Sequence, residues 1–529
     1  MNRLMLATMF LAVMTVACVG PKTQNKEKAI GITQEQKVLP LLRNKAYNEA
    51  LHIIVNNDEP KVISEFNLEL NGDIAVIEKL QVFYAQEDSK KAPKELFGEV
   101  SSVGKLVSIA ENRQLNKGEN HFFVSLQLKE NADVTKTVSV GCNSINQGDQ
   151  VTKVSNAQAI KPLRLGIGLR QHGDDNVDTY RIPGLATTNN GTLIGVYDIR
   201  YNSGVDLQED IDVGMNRSTD GGQTWEPMKI IMDMGEWGSL SDKENGIGDP
   251  AVLVDRSNNT IWVAAVWAHG HPGERNWWAS KPGLSPKKTS QFVLVKSEDD
   301  GVTWSEPINI TEQIKKPEWH LLLQGPGKGI TMKDGTLVFP AQFKDKDEMP
   351  HSTIIWSKDN GQTWTIGTGA KDNTTEAQVI ELNDGSLMLN MRDNRNRKDD
   401  SETNGRAVYI THDLGKTWVK HATSRTNVLQ ESTCQASIIK DEFVVNGKKQ
   451  ALVIFSNPNT KKGRHHMTIK VSLDDGETWP LENQLLLDAG KGRGYSCMSK
   501  IDDETIGILY EGSQADLTYQ IVKIKDIIK

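Results

Sequence analysis

The chain has 529 residues, 37% of them hydrophobic and 25% charged, with a formal net charge of -8. That length calls for two domains or one large repeat architecture, and the composition excludes a disordered or membrane-embedded chain. No basic tract interleaved with aromatics appears, so there is no footprint for nucleic acid.

The chain opens MNRLMLATMFLAVMTVAC, with one early positive charge at Arg3, an apolar run from Leu4 to Val16 and a small residue at Ala17. Residues 1–18 therefore read as an export signal, since the run is too short for a membrane span. Cys18, following Thr15, Val16 and Ala17, resembles a bacterial lipoprotein cleavage site, although Thr15 sits where leucine is usual; the alternative is plain secretion. The expected location is outside the bacterial cytoplasm: periplasmic, anchored to the outer membrane through a lipidated Cys18, or secreted. Only Cys142, Cys434 and Cys497 remain, an odd number that supports no disulfide framework.

Residues 19–158 carry EFNLELNG, IEKLQVFYA, GKLVSIAE, HFFVSLQLKE and TKTVSVGC, all alternating at period two. They predict a β-sandwich of the lectin or carbohydrate-binding kind. Within them QKVLPLLRNKAYNEALHIIV reads as helical, and the boundary to the next domain falls in NAQAIKPLR, near 155–164.

Residues 159–529 repeat one motif five times: STDGGQTW at 218, SEDDGVTW at 297, SKDNGQTW at 357, THDLGKTW at 411 and SLDDGETW at 472. Each follows an alternating stretch, so the grammar is strand then turn. The Asp can accept hydrogen bonds from its own turn, the Gly permits a positive φ, and the Trp is free to pack between sheets. A second set of hairpin turns interleaves with it: NNGTL at 189, NNTI at 258, KDGTL at 333, NDGSL at 383, VNGKKQAL at 445 and DDETI at 502. Two hairpins per unit make four strands, and six such units predict an all-β, six-bladed β-propeller behind the smaller sandwich. The ring is expected to close with a strand from near residue 180; an open solenoid is the competing topology.

No GxSxG, HExxH or CxxC occurs, and GPGKGI at 325 lacks the spacing of a phosphate loop. HGH at 269–271 and HH at 465–466 lack a third ligand at useful spacing, so neither a catalytic metal nor a cofactor is expected.

TYRIPGL at 179–185 together with the five Asp-box turns resembles the bacterial exo-sialidases over about residues 165–520. The resemblance implies that YRIP supplies Arg181, DIRYNSGVD the acid/base Asp206, and TEAQVIELNDGSLMLNMRDN both Glu376 and Arg392. GRHHMTIKVS supplies Arg464, GYSCMS supplies Tyr495, and GILYEG supplies Glu511. Arg200 and Asp249 match family positions lining the sugar's 4-hydroxyl side. Trp237, Trp277 and Trp278 either shape the pocket rim or pack in the core.

The implied chemistry suits these residue types. Sialic acid carries a carboxylate on its anomeric carbon, and arginine offers a planar, permanently charged fork matched to it. Two guanidinium groups about 5 Å apart repel by roughly 3 kcal/mol at an effective dielectric near 20, so Arg181, Arg392 and Arg464 need acidic support, which Glu511 would give beneath Arg181. A carboxylate nucleophile would approach a centre already bearing a carboxylate; Tyr495 avoids this, with Glu376 as its base. The resemblance thus implies a retaining exo-α-sialidase acting on sialylated glycans as a monomer. The alternatives are an intramolecular trans-sialidase with the same residues, and a non-catalytic glycan-binding propeller.

Overall fold

The computed structural model describes residues 31–87, 94–148, 150–156, 160–207, 209–269 and 274–528. The expected export signal, Cys18 and His271 lie outside them.

Residues 31–156 form two facing sheets. In one, Glu49–Asn57, Gly118–Leu128 and Ile77–Ala85 pair in sequence; in the other, Lys61–Gly72 lies between Leu106–Leu115 and Thr137–Gln147. The alternation read in EFNLELNG sets the faces: Phe66, Leu68 and Leu70 are buried, while Asn67 and Glu69 between them are not. Phe66 packs on Phe122 and Phe97, ring centres 4.8 and 5.1 Å away. The helix expected within residues 36–55 does not form. Leu41–Arg43 and Glu49–Asn57 are strands, and the chain turns between them through Asn44 at φ 64°. Pro40 interrupts any helix there, and the β-branched Ile53, Ile54 and Val55 fit a pleated surface.

Beyond Leu163 the chain makes six four-stranded antiparallel blades around one axis. The first contains Thr179–Thr187, Leu193–Arg200, Ile211–Ser218 and Lys229–Met232 from the axis outward. The innermost strands of the next five begin at Asn245, Leu321, Thr374, Ser437 and Ser496. Their N-terminal ends meet at one face of the ring, which is where the site lies.

The ring closes, but not with a strand from near residue 180, because Thr179–Thr187 is the inner strand of the first blade. The closing strand is Leu163–Arg170, which pairs antiparallel with Leu517–Lys523 as the outer edge of the sixth blade. It also pairs with the sandwich, through Leu163 to Val138 and Leu165 to Leu41. One sheet therefore runs from the sandwich into the sixth blade. Leu163, Leu165, Ile167 and Leu169 lie in a single apolar cluster that holds the sandwich core together with Tyr180, Tyr197, Leu509 and Tyr519. Burying each such aliphatic side chain contributes about 1.5–3 kcal/mol, so the two domains share stabilising surface.

The five repeated turns are built alike. In the first, Asp220 accepts from Thr224 N at 2.9 Å, Thr224 Oγ1 at 2.6 Å and Ser218 Oγ at 2.8 Å. Ser218 Oγ accepts from Gly222 N, and Gly222 stands at φ 89°, where only glycine is comfortable. The tryptophans pack between blades: Trp225 meets Tyr519 edge-on at 5.0 Å, and Trp364 meets Trp262 at 6.2 Å.

Candidate active site

Three inner strands carry a β-bulge where they reach the front face: between Arg181 and Gly184, between Gly248 and Ala251, and between Thr374 and Ala377. A bulge re-aims a side chain that a regular strand would point into a blade interface. Ile182 and Asp249, each preceding a proline, take φ values of 59° and 55°, uncommon for any non-glycine residue and least tolerated by a β-branched one. Arg181, Asp249 and Glu376 consequently face a cavity of about 520 Å³, joined by Arg392, Arg464, Tyr495 and Asp206.

Glu511 lies beneath the cavity, 1% exposed, and receives Arg181 through two parallel contacts of 2.8 and 3.2 Å. It also accepts the backbone N–H groups of Ile182 and Tyr495, at 3.0 and 3.1 Å. Burial alone would raise its pKa, but Arg181 and these donors hold it below the ordinary glutamate range. One carboxylate thus fixes an arginine and the backbone of two cavity-lining residues.

The Tyr495 hydroxyl donates to Oε1 of Glu376. Arg392 Nη1 contacts Oε2 of the same glutamate at 2.5 Å and the tyrosine oxygen at 3.2 Å. Burial, then the neighbouring Glu376, push the Tyr495 pKa well above its usual value. The phenol is therefore neutral at rest, with its proton directed at a carboxylate. Arg181 and Arg464 flank the ring, their guanidinium carbons 5.1 and 5.5 Å from its centre.

The three arginines differ in their partners. Arg181 rests on Glu511 and Arg392 on Glu376, whereas Arg464 donates to the carbonyls of Arg493 and Thr433 and, among the described residues, forms no ion pair. Arg392 Nε also lacks an acceptor among the described residues. The cavity therefore presents uncommitted positive charge to an incoming anion.

Asp206 sits on the rim, 56% exposed, and takes Arg200 at 2.6 Å and Arg181 at 3.1 Å on Oδ1. Burial would raise its pKa, but Arg200 and Arg181 hold it below the ordinary range. Arg200 is not on the cavity wall as expected. Its side chain is completely buried behind Asp206, bound to Asp198 at 2.7 Å and to the Gly204 carbonyl at 3.0 Å, so it holds the aspartate rather than the sugar. Asp249 does line the cavity; burial, then Asp198 and Asp206, raise its pKa well above normal.

Trp277 and Trp278 line the cavity on a short helical turn, Asn276–Ala279, and Trp278 is 54% exposed. Trp237 instead packs edge-on against Trp267 at 4.6 Å, half-buried against the core between the first two blades. Sequence reasoning passed over Arg275 and Arg397, which also border the cavity. The signal that could have marked the front face is the pair of X-Pro steps, Ile182-Pro183 and Asp249-Pro250, in strands that otherwise alternate.

A propeller whose axis ends in an arginine cluster, a carboxylate-bound tyrosine and a rim aspartate defines a glycoside hydrolase of the sialidase type. Residues 182–482 match the family described as a BNR repeat-like domain, and residues 29–151 match the N-terminal domain of BNR-repeat neuraminidase. A sialidase of Bacteroides fragilis is 53% identical over 433 residues, covering 82% of this chain and 78% of that protein. A sialidase of Clostridium perfringens is 32% identical over 403 residues, covering 72% of this chain and 97% of that one. Among solved structures, a Hadza microbial sialidase superposes with a TM-score of 0.87 at 43% identity, covering 94% of this chain and all of its own. The chain belongs to the BNR-repeat sialidase (neuraminidase) family.

Proposed function

We propose that the protein is a retaining exo-α-sialidase that releases terminal sialic acid from glycoconjugates through a tyrosyl-enzyme intermediate. The observation that carries this reading is the Tyr495–Glu376 hydrogen bond with Arg392 touching both partners. The substrate carboxylate would settle among Arg181, Arg392 and Arg464, of which Arg464 has no carboxylate partner among the described residues to give up. Glu376 would take the phenolic proton as the Tyr495 oxygen bonds to the anomeric carbon. Asp206 would give its proton to the departing glycosidic oxygen, then remove one from the water that cleaves the tyrosyl bond, so the configuration is retained overall.

A neutral tyrosine avoids the repulsion a carboxylate nucleophile would meet from the sugar's own carboxylate. Asp206, ionised in the empty site, would gain its proton once the bound carboxylate offsets the charge of Arg181. Export through residues 1–18, with Cys18 as an anchor, is part of the same proposal and would place the enzyme among extracellular glycans.

Release of free sialic acid from an aryl sialoside by the purified chain tests the reading, with NMR of the initial product. Initial release of the α anomer is expected; the β anomer would overturn retention. An anhydro-sugar would replace hydrolysis by intramolecular transfer, and no release from any sialoside would overturn the reading entirely.

A further inference from the structure

The rear end of the propeller axis holds a second cavity, of about 390 Å³. It is walled by the C-terminal ends of inner strands, through Ala186, Val254, Ile380 and Ser499, and by the segment Lys328–Thr331. Among the described residues it shares no lining residue with the front cavity. Between them the buried amides of Gln378 and Gln435 both donate to the Pro326 carbonyl, at 2.9 and 3.2 Å.

Charges in the two cavities sort in the same way. At the front, Arg181 and Arg392 have carboxylate partners and, among the described residues, Arg464 has none. At the rear, Lys440 pairs with Asp475 at 2.5 Å, and Lys500 with Asp503 at 2.9 Å and Asp441 at 3.3 Å. Lys328, Arg256 and the exposed Lys333 remain. Among the described residues none of the three forms an ion pair; Lys333 lies out in solvent, and Arg256 donates to the side-chain oxygen of Asn189 at 3.0 Å. Lys328 is half-buried, and an enclosed ammonium without a counter-ion is unfavourable. Burial, reinforced by Arg256, lowers its pKa against opposing contributions from Cys497 and Asp441.

We propose that the rear cavity is a second binding site, for a small organic carboxylate, with Lys328 and Arg256 receiving its charge. Arg256 supplies the planar fork, Lys328 a point charge, and Ala186, Ile330 and Ile380 the apolar wall for the body of the ligand. Glu381, Asp441 and Glu442 border the same cavity, so a singly charged carboxylate fits better than a phosphate. Although Lys328 belongs to GPGKGI, the segment leads into the strand Ile330–Thr331 and not a helix, so it is no nucleotide loop. The site is independent of the reaction assigned to the front cavity.

The test is a titration of the full chain with 4-fluorobenzoate followed by fluorine NMR, at up to about 10 mM probe, with inorganic phosphate in parallel. Wild-type protein should show a rear site that survives Arg464→Ala and is lost in the Lys328→Met/Arg256→Gln double variant. That variant should cleave an aryl sialoside within about twofold of the wild-type kcat/KM. If the double variant does not fold, Lys328→Gln and Arg256→Gln singly should each weaken the rear site at least about tenfold. Unchanged binding in these variants, no site surviving Arg464→Ala, or phosphate binding as tightly as the probe would each overturn the proposal. Loss of the rear site on mutating Lys328 would stand even if no sialoside were cleaved.

Discussion

The hydroxyl of Tyr495 is directed at Oε1 of Glu376 while Arg392 contacts Oε2, so one glutamate links the tyrosine to a guanidinium. Glu376→Gln keeps the shape and removes the basicity. Turnover of an aryl sialoside should fall by about 10²–10⁴-fold with little change in thermal stability. Steady-state kinetics beside a melting curve checks this; turnover near the wild-type value would remove Glu376 from the role of base.

Glu511 is the support on which Arg181 and the backbone of Ile182 and Tyr495 rest. Glu511→Ala leaves a buried guanidinium and two N–H groups without their acceptor and should cost about 3–5 kcal/mol of unfolding free energy. Chemical denaturation measures the loss. KM for the sialoside should rise as well, because Arg181 no longer has a fixed position.

Asp206 must be protonated to act as an acid, yet in the empty site its pKa lies below the ordinary value of 3.8. Because kcat/KM reports the free enzyme, its limb governed by this acid should fall as pH rises through that low value. If, as proposed, the substrate carboxylate offsets Arg181 in the complex, it raises this pKa, and the corresponding limb of kcat should lie at higher pH. Coincident limbs in the two profiles would show that substrate does not retune Asp206.

The repeated turns should matter to folding and not to chemistry. Asp220→Ala removes three hydrogen bonds far from the cavity and should cost about 1–3 kcal/mol while leaving kcat per folded molecule unchanged. Asp299, Asp359 and Asp413 have folded pKa values held down to about 2, against 3.8 for an unperturbed aspartate. Their contribution is therefore complete above pH 3.8 and lost as pH falls through 2, which acid titration of the unfolding free energy would detect.

The shared sheet and the single apolar cluster predict one cooperative calorimetric transition for sandwich and propeller together. Leu165→Asp should lower that transition as a whole. Two separate transitions in the wild type would show that the cluster does not couple the domains.

Legibility followed the range of the interactions. The five turns could be read in full because Ser218, Asp220, Gly222 and Thr224 and their counterparts interact within seven residues of chain. LRLGIGLR alternates visibly, but nothing local names Leu517–Lys523 as its partner, so the sequence alone points to a closing strand near residue 180 instead. At the site, sequence order indicated which residues meet but not how deep each would lie: Arg200 and Asp206 are six positions apart, yet one is sealed behind the other. The bulges that aim Arg181, Asp249 and Glu376 depend on backbone register, to which residue identity gives only the hint of a following proline at two of the three.

The position of Leu163–Arg170 also sets an order of events during synthesis. This strand leaves the ribosome before the other blades, while its partner, Leu517–Lys523, is made only after all five of them. The sandwich, complete by residue 156, is available to hold the waiting edge through Val138 and Leu41 as the five intervening blades emerge. The N-terminal domain is thus placed to act as a built-in template, shielding an open β-edge from pairing with other chains until the ring can shut.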